Sequence, residues 1–237
     1  MFKRSAAFYD AIYSFKDYAA EAEQILGWAR LHGRPQGKLL DAACGTGRHA
    51  EFLARSYEVT GVDLDEGLLE VARRRLPQAE FVHGDMCTTQ FDKSFDLITC
   101  LFSAIGYLDA TKLGEACRNF YHHLEPGGLL LIEPWLRPEM IRPGNVGIDQ
   151  AEFEGTKLVR MGRLQVEGNV STCQFHYLIG NASEIRHETE HHRLTLFTLP
   201  EYQTALEEAG FQFHWEEQGL TGRGMLIGIK PSNGSRT

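Results

Sequence analysis

The 237-residue chain lacks paired cysteines: Cys44, Cys87, Cys100, Cys117 and Cys173 are odd in number, widely spaced and without a C-x-x-C pair. That excludes a disulfide framework or a zinc ribbon and points to buried thiols in a reducing, cytoplasmic setting. Basic charge is in deficit too, since 24 Lys and Arg against 32 Asp and Glu leave a formal net charge of −8. A charge of that sign repels nucleic acid and anionic lipid, so neither is an expected partner. Any anionic ligand must then be held by a few local basic groups. Long apolar runs are missing as well. The longest, LITCLFSAIGYL (97–108), is too short to span a bilayer and carries polar breaks. In the first stretch, MFKRSAAFYDAIY, Asp10 cuts the apolar run too early for a signal peptide. No repeat is present, and only the tail PSNGSRT (231–237) reads as disordered.

What is present is the rhythm of one α/β domain, long enough to bury a core. Residues 17–32 place Ala22, Ile25, Leu26 and Ala29 at helical spacing. KLLDAA (38–43) is a short strand that runs into CGTG, after which RHAEFLARS resumes as a helix. EVTGVDLD (58–65) is the next strand, followed by a helix, GLLEVARRRL, that Pro77 stops. AEFVHGDM (79–86) and SFDLITCLFS (94–103) are further strands; TKLGEACRNFYHHL is a helix closed by EPGG, and LLLIEPW (129–135) is a buried strand. Alternating helices and near-continuously apolar strands belong to a parallel sheet covered on both faces.

The texture changes after Pro138. Residues 141–196 lack helical periodicity and carry TKLVRMGRLQ, VSTCQFHYLIG and IRHETEHHRLTLF, which read as inserted antiparallel strands. A helix, PEYQTALEEAG, and two strands, FQFHWEE and GMLIGIK, then complete the sheet. The expected organisation is therefore one domain from 1–140 and 197–230, interrupted by the strands of 141–196.

Within those strands His187-Glu188-Thr189-Glu190-His191 spells H-E-x-x-H, the pattern of a zinc hydrolase. Two histidines four apart share a zinc only on a helix, one turn apart on one face. On a strand they lie about 13 Å apart, whereas zinc bonds are about 2 Å long. The β-branched and aromatic residues around them follow a strand pattern, so no metal site is expected.

LLDAACGTGRHA carries the chemistry. A strand ends at Asp41, the chain turns through Gly45 and Gly47, and a helix starts, as a ligand approaching the backbone requires. Gly45 to Ala50 also satisfies G-x-G-x-x-A, with Asp63 at the end of the next strand where a ribose is held. Alone, this fits a dinucleotide-binding dehydrogenase or a methyltransferase. Three features separate them. Asp41 ahead of the first glycine is unwelcome to a pyrophosphate but suits a cationic sulfonium with an ammonium group. Gly84-Asp85-Met86 offers a carboxylate and a backbone N–H to an adenine edge, and FDLITC and LEPGGLLLIE follow at the spacing of the fourth and fifth strands.

Taken together, DAACGTG, GVDLD, GDM and LEPGG resemble the class I S-adenosylmethionine-dependent methyltransferases over almost the whole chain. The resemblance implies a Rossmann-like fold with a mostly parallel seven-stranded sheet and an inserted antiparallel sheet. It also implies S-adenosylmethionine as cofactor. Asp41, Ala43, Cys44, Gly45 and Gly47 would lie beside its methionine part, Asp63 on the ribose, Leu64 against the adenine, and Asp85 and Met86 on the adenine edge. Leu101 and Phe102 would meet the amino group.

More finely, FYDAIY with KDYAAEAE, TCLFSAIGYL, IEPWLRPE, EGNVSTCQFHYLI, HxxExHRLTLF and TGRG resemble the N,N-dimethyltransferases of nucleotide-linked amino sugars in deoxysugar biosynthesis. In that family's HxxExHR pattern the matching residues are His187, Glu190, His192 and Arg193. The implied acceptor is the amine of a TDP-linked amino sugar, methylated to the dimethylamino product; the alternative is another small molecule, such as an amine, an amino acid or a natural-product hydroxyl. Tyr18 is assigned to the methionine end of the cofactor. Tyr9, Tyr13, Trp135 and His176 are assigned to the acceptor, and Arg223, between glycines, to a diphosphate through its planar fork. Tyr107 stands where some relatives carry histidine; a phenol is a poor base at neutral pH, so its expected role is to orient the amine. His122 and His123 close a helix and read as structural. A homodimer is an admissible assembly.

Overall fold

The computed structural model describes residues 6–142 and 144–232, so Asn233 onward, most of the tail expected to be disordered, lies outside it. Three strands build one half of the main sheet: β1 (Gly37–Ala42), β2 (Tyr57–Asp63) and β3 (Glu80–His83). Between them run α3 (Arg48–Leu53) and α4 (Glu66–Arg75), after the leading helices α1 (Ala6–Ile12) and α2 (Tyr18–Leu31). The other half holds β4 (Phe95–Cys100), α5 (Ala110–His123), β5 (Leu124–Ile132), α6 (Leu199–Ala209), β10 (Gln212–Glu216) and β11 (Met225–Ile229). Spatial order is β10-β11-β5-β4-β1-β2-β3, with β11 antiparallel to both neighbours and the remaining pairs parallel. The seven-stranded, mostly parallel sheet is thus as expected. The chain moves outward one way from β1 through β2 and β3, then returns to β4 on the other side of β1. Ligands bind at the carboxyl ends of strands where the order reverses in this way.

Helix ends follow local chemistry. Asp17, Asp65 and Asp109 each accept backbone N–H groups at the N-termini of α2, α4 and α5, and Thr198 with Glu201 closes a capping box on α6. Apolar residues fill both faces of the sheet: Ile25, Leu53 and Leu69 beneath α2 to α4, and Phe120, Tyr202 and Leu206 beneath α5 and α6.

The inserted segment forms a four-stranded antiparallel sheet from β6 (Val146–Phe153), β7 (Thr156–Glu167), β8 (Val170–Gly180) and β9 (Ile185–Thr195). Its inner face packs on α1 through Ile12, Leu158, Tyr177 and Ile179, with Phe8, Tyr13 and Phe175 against them. β9 is tied to the core domain where Thr195 Oγ1 donates to the Leu108 carbonyl at 2.6 Å. His187 and His191 both lie on β9, exposed and extended, so the H-E-x-x-H spelling falls on a strand.

Two elements differ from expectation. β6 is a strand that the residue pattern does not announce, because most of its side chains are exposed and no alternation marks them. β5 begins at Leu124 rather than Leu129, since Phe95 pairs with Leu124 before a register shift restores Leu97 to Leu129.

Candidate active site

At the carboxyl ends of β1 and β4 the backbone adopts positive φ at non-glycine residues: Ala43 (56°) after β1, and Phe102 (51°) with Ser103 (67°) after β4. Such strain persists only where surroundings enforce it, and it concentrates at functional sites. Here the enforcement is visible. Glu133, fully buried at the end of β5, accepts the Phe102 N–H at 2.7 Å, and Ser103 Oγ donates to the Pro134 carbonyl at 3.2 Å.

The two glycines of the loop serve different ends. A Cβ on Gly45 (φ 55°) would have no neighbour within 4 Å, so this residue opens the loop to the space above it. A Cβ on Gly47 (φ 73°) would lie 3.2 Å from Ala72 Cβ on α4. Gly47 lines neither of the two cavities that Gly45 lines; it starts α3 and lets α4 approach.

Above this loop lies a cavity of roughly 680 Å³ that joins the two sheets. One end is walled by Ala43, Gly45, Asp63, Leu64, Asp85 and Met86, and its middle by Leu101 and Phe102. Tyr9 of α1 and Tyr13 just after it cover the cavity, while Tyr107, Trp135 and Arg223 line the far end beside the inserted strands. A smaller recess beneath α1 collects Tyr18, Asp41 and Cys44, sharing Ala43, Gly45 and Phe102 with the main cavity. Of the residues assigned from sequence, Gly47 and His176 line neither. His176 is exposed on the outer face of β8, 3.1 Å from His187 across the strand pair. Alternation turns Cys173 and Phe175 inward and His176 outward, correcting its expected place.

The acidic residues are differently placed. Asp63 Oδ2 accepts the Gly45 N–H at 2.8 Å and Oδ1 the Asp65 N–H at 2.9 Å; burial raises its pKa against those two bonds. Asp85 is half-buried. Burial raises its pKa, but the Cys87 N–H at 2.9 Å and Lys112 at 3.4 Å outweigh that and lower it. Asp41, 3% exposed, accepts the Thr99 hydroxyl at 2.9 Å, and burial lifts its pKa to about 6. A buried carboxylate whose pKa stays raised despite His49 nearby fits a cationic ligand in the recess.

α1 is clasped to the loop below it. Asp10 accepts the Thr46 hydroxyl at 2.7 Å and pairs with Arg75, which also donates to the Thr46 carbonyl. On its other side Tyr13 accepts from Arg160 at 2.8 Å, and Arg160 pairs with Asp149 at 2.7 Å. Arg223 is likewise engaged. Its Nη2 lies 2.9 Å from Glu133 Oε1, Nη1 donates to Ser103, and Nε to Thr221 at 2.8 Å. The fork expected to bind a diphosphate instead neutralises a buried carboxylate.

Several cavity residues escaped the reading of residue types. Arg160, Cys173, Phe175, His192 and Leu194 line it from the inserted sheet. His192 is 3% exposed, and the Tyr107 hydroxyl meets its Nδ1 at 2.8 Å. The signal was strand alternation: on β9 Glu190, His192 and Leu194 face inward while His191 and Arg193 face out. Among the described residues, no helix is long and apolar enough to cross a membrane.

Comparison with known proteins agrees with this geometry. A family model described as a methyltransferase domain matches residues 39–128, from β1 into the start of β5. The dTDP-3-amino-3,4,6-trideoxy-alpha-D-glucopyranose N,N-dimethyltransferase of Streptomyces venezuelae is 37% identical over 90% of this chain and 92% of its own length. Among solved structures, DesVI of Streptomyces venezuelae superposes with a TM-score of 0.90 at 36% identity, covering 96% of this chain and 98% of that one. The S-adenosylmethionine-bound amino pentose methyltransferase CalS10 of Micromonospora echinaspora has a TM-score of 0.83 at 35% identity, covering 91% and 92%.

Proposed function

We propose a reaction from the premise that this chain belongs to the S-adenosylmethionine-dependent N,N-dimethyltransferases of nucleotide-linked amino sugars. It transfers methyl groups to the amine of a TDP-linked amino sugar, and the dimethylamino sugar is its product. The observation that carries this reading is the single cavity running from Asp63 and Asp85 to Tyr107 and the inner face of the inserted sheet. One end suits an adenosine, the other an acceptor, and no wall divides them.

The cofactor fits the residues present. Asp41 supplies negative charge to its cationic methionine end, with Tyr18 beside it; Gly45 admits it to the loop backbone. Asp63 takes the ribose hydroxyls, Leu64 flanks the adenine, and Asp85 and Met86 read its edge. Leu101 and Phe102 meet the amino group. When bound, the cofactor supplies an electrophilic methyl on a good leaving group. The protein's own contribution is alignment and the exclusion of water, and those terms supply much of the barrier reduction for such a transfer. Tyr9 and Tyr13 close the cavity over the reacting pair, and Tyr107 orients the amine.

The nucleotide arm of the acceptor has room beyond Trp135. A second cavity of roughly 350 Å³ shares Trp135, Cys173 and Phe175 with the first and adds Arg142 and Arg163. Arg142 donates to the carbonyls of Glu139 and Ile141, and Arg163 to the Gln174 amide oxygen at 3.1 Å. Those acceptors are neutral and, among the described residues, neither guanidinium forms an ion pair, so both suit an anion, and they replace Arg223 as the diphosphate ligands in this reading. The test is turnover with a panel of TDP-amino-hexoses. The expected result is two equivalents of S-adenosylhomocysteine per dimethylated sugar, with the acceptor KM raised about tenfold or more in Arg163→Ala. Absence of turnover across the panel removes the substrate.

A further inference from the structure

Resting on that reading of the site, we propose that Tyr107, His192 and Glu190 form a relay that removes the proton from the acceptor's ammonium group. Tyr107 ends the 3-10 turn Ala104–Tyr107 and lines the cavity. Behind it, out of the bulk solvent, stands His192 of β9, with Nδ1 at 2.8 Å from the phenol oxygen. Glu190 Oε2 lies 3.5 Å from His192 Nε2 and accepts the Tyr177 hydroxyl at 2.9 Å. The arrangement is held from both sides. Thr195 binds the Leu108 carbonyl beside the turn, and Trp135 Nε1 donates to Ser171 Oγ, which donates to the Leu194 carbonyl. Gly106 permits the close approach, since a Cβ there would lie 2.8 Å from Trp135 and 3.2 Å from Leu194.

The direction of the relay follows from the donors. With its N–H at Nε2, facing the Glu190 carboxylate, the neutral imidazole presents a bare Nδ1, and the Tyr107 O–H donates to it. The phenol oxygen keeps lone pairs for a donor in the cavity. Burial, reinforced by Tyr13, Cys173, Glu190 and Tyr177, holds the phenol pKa far above its ordinary value, so a free phenolate is not the base. The neutral phenol instead passes a proton on. An N–H bond of the ammonium breaks as an O–H bond forms on Tyr107; the original O–H bond breaks as an N–H bond forms on His192 Nδ1. The phenol is regenerated, the amine gains its lone pair, and the imidazolium faces Glu190. The charged and titratable groups around this chain include Tyr9 of α1, Tyr13 just after it, Arg160 of β7, Cys173 and Tyr177 of β8, and Glu190 itself. Of these Arg160 is cationic and is paired with Asp149. A secondary ammonium formed by the first methylation needs the same step again, so the relay serves both transfers.

The test uses Tyr107→Phe, His192→Gln and the double variant, with S-adenosylhomocysteine binding as the check of fold. At pH 7 each single variant is expected to lose about 100-fold in kcat, the usual share of a proton-transfer group, with KM within about threefold. The double variant should lose no more than the worse single, because the two groups form one path. Raising the pH past the pKa of the acceptor's ammonium should restore most of the loss. A pH-independent loss, or losses that multiply, would mean that His192 only anchors Tyr107 and would overturn the relay. If His192→Gln fails to bind S-adenosylhomocysteine, Tyr107→Phe decides by its pH profile. A readout independent of turnover is nitrogen NMR of labelled histidine in the full chain. The relay requires His192 in the Nε2–H form when neutral, and the Nδ1–H form contradicts it. Failure of the wild-type enzyme on every TDP-amino sugar removes the proposed acceptor and leaves the NMR result to judge the relay.

Discussion

Arg223→Ala should destabilise the protein before it affects any ligand. Glu133 is fully buried and its carboxylate accepts from three groups: the Phe102 N–H at 2.7 Å, the Thr221 hydroxyl at 2.6 Å and Arg223 at 2.9 Å. Removing one partner of a buried ion pair costs about 3–5 kcal/mol, because the other charge stays behind uncompensated. Two neutral donors remain on Glu133, so the low end, about 3 kcal/mol, applies. For a chain of this size each kcal/mol lowers Tm by about 2–4 °C, so the drop should be about 6–12 °C. Thermal unfolding followed by circular dichroism, without ligand, measures that drop, and urea unfolding measures the free energy. Arg223→Ala combined with Glu133→Gln removes the stranded charge and should recover most of the loss. If the single variant loses under about 0.5 kcal/mol, the order of an ordinary surface substitution, or the double variant recovers nothing, the pairing is not structural and Arg223 is free for a diphosphate.

Asp41 makes a second prediction through pH. Burial raises its folded pKa to about 6, above an unfolded value of about 3.9. In the ligand-free protein the folded state therefore holds the proton more tightly; the stability this confers is complete below about pH 4 and lost as pH rises through about 6. Asp41→Asn should then be more stable than wild type at pH 7.5 by up to about 3 kcal/mol and equal to it near pH 4. A cationic ligand favours the ionised carboxylate, so S-adenosylmethionine binding at pH 6 should release protons, seen by calorimetry in buffers of different ionisation enthalpy; equal release by Asp41→Asn refutes the assignment. The glycines make a third. Gly47→Ala and Gly45→Ala both pay about 1–2 kcal/mol for left-handed backbone, but only Gly45→Ala adds a methyl to the space above the loop. Calorimetry should show the larger loss of S-adenosylhomocysteine affinity in Gly45→Ala, and the reverse order would refute the division of roles.

The end of the cavity lined by Asp63 and Asp85 was legible because each residue there is fixed by its position at the end of a strand. Asp63 and Asp85 close β2 and lie just beyond β3, and strand ends can be counted along the chain. The same counting cannot say which glycine of G-x-G faces ligand, since Gly47 is set by Ala72 of a different helix. Arg223 was misread for a similar reason: its partner Glu133 is 90 residues away. His176 shows a different limit. β8 was plain as a strand, but its outward residues include apolar Leu178 alongside inward Cys173 and Phe175, so the pattern did not reveal the phase. His192 was visible within the HxxExHR phrase, yet its meaning depends on Tyr107, which reaches it only in three dimensions.

A crystal of the full chain grown with S-adenosylhomocysteine and TDP bears most directly on the shared cavity. The adenosine should rest on Asp63, Leu64 and Asp85, with the thymidine diphosphate in the space beyond Trp135, between Arg142 and Arg163, and Tyr107 facing the gap between the two ligands. TDP bound elsewhere on the surface, or walled off from the thioether by the inserted strands, would contradict a single chamber for donor and acceptor.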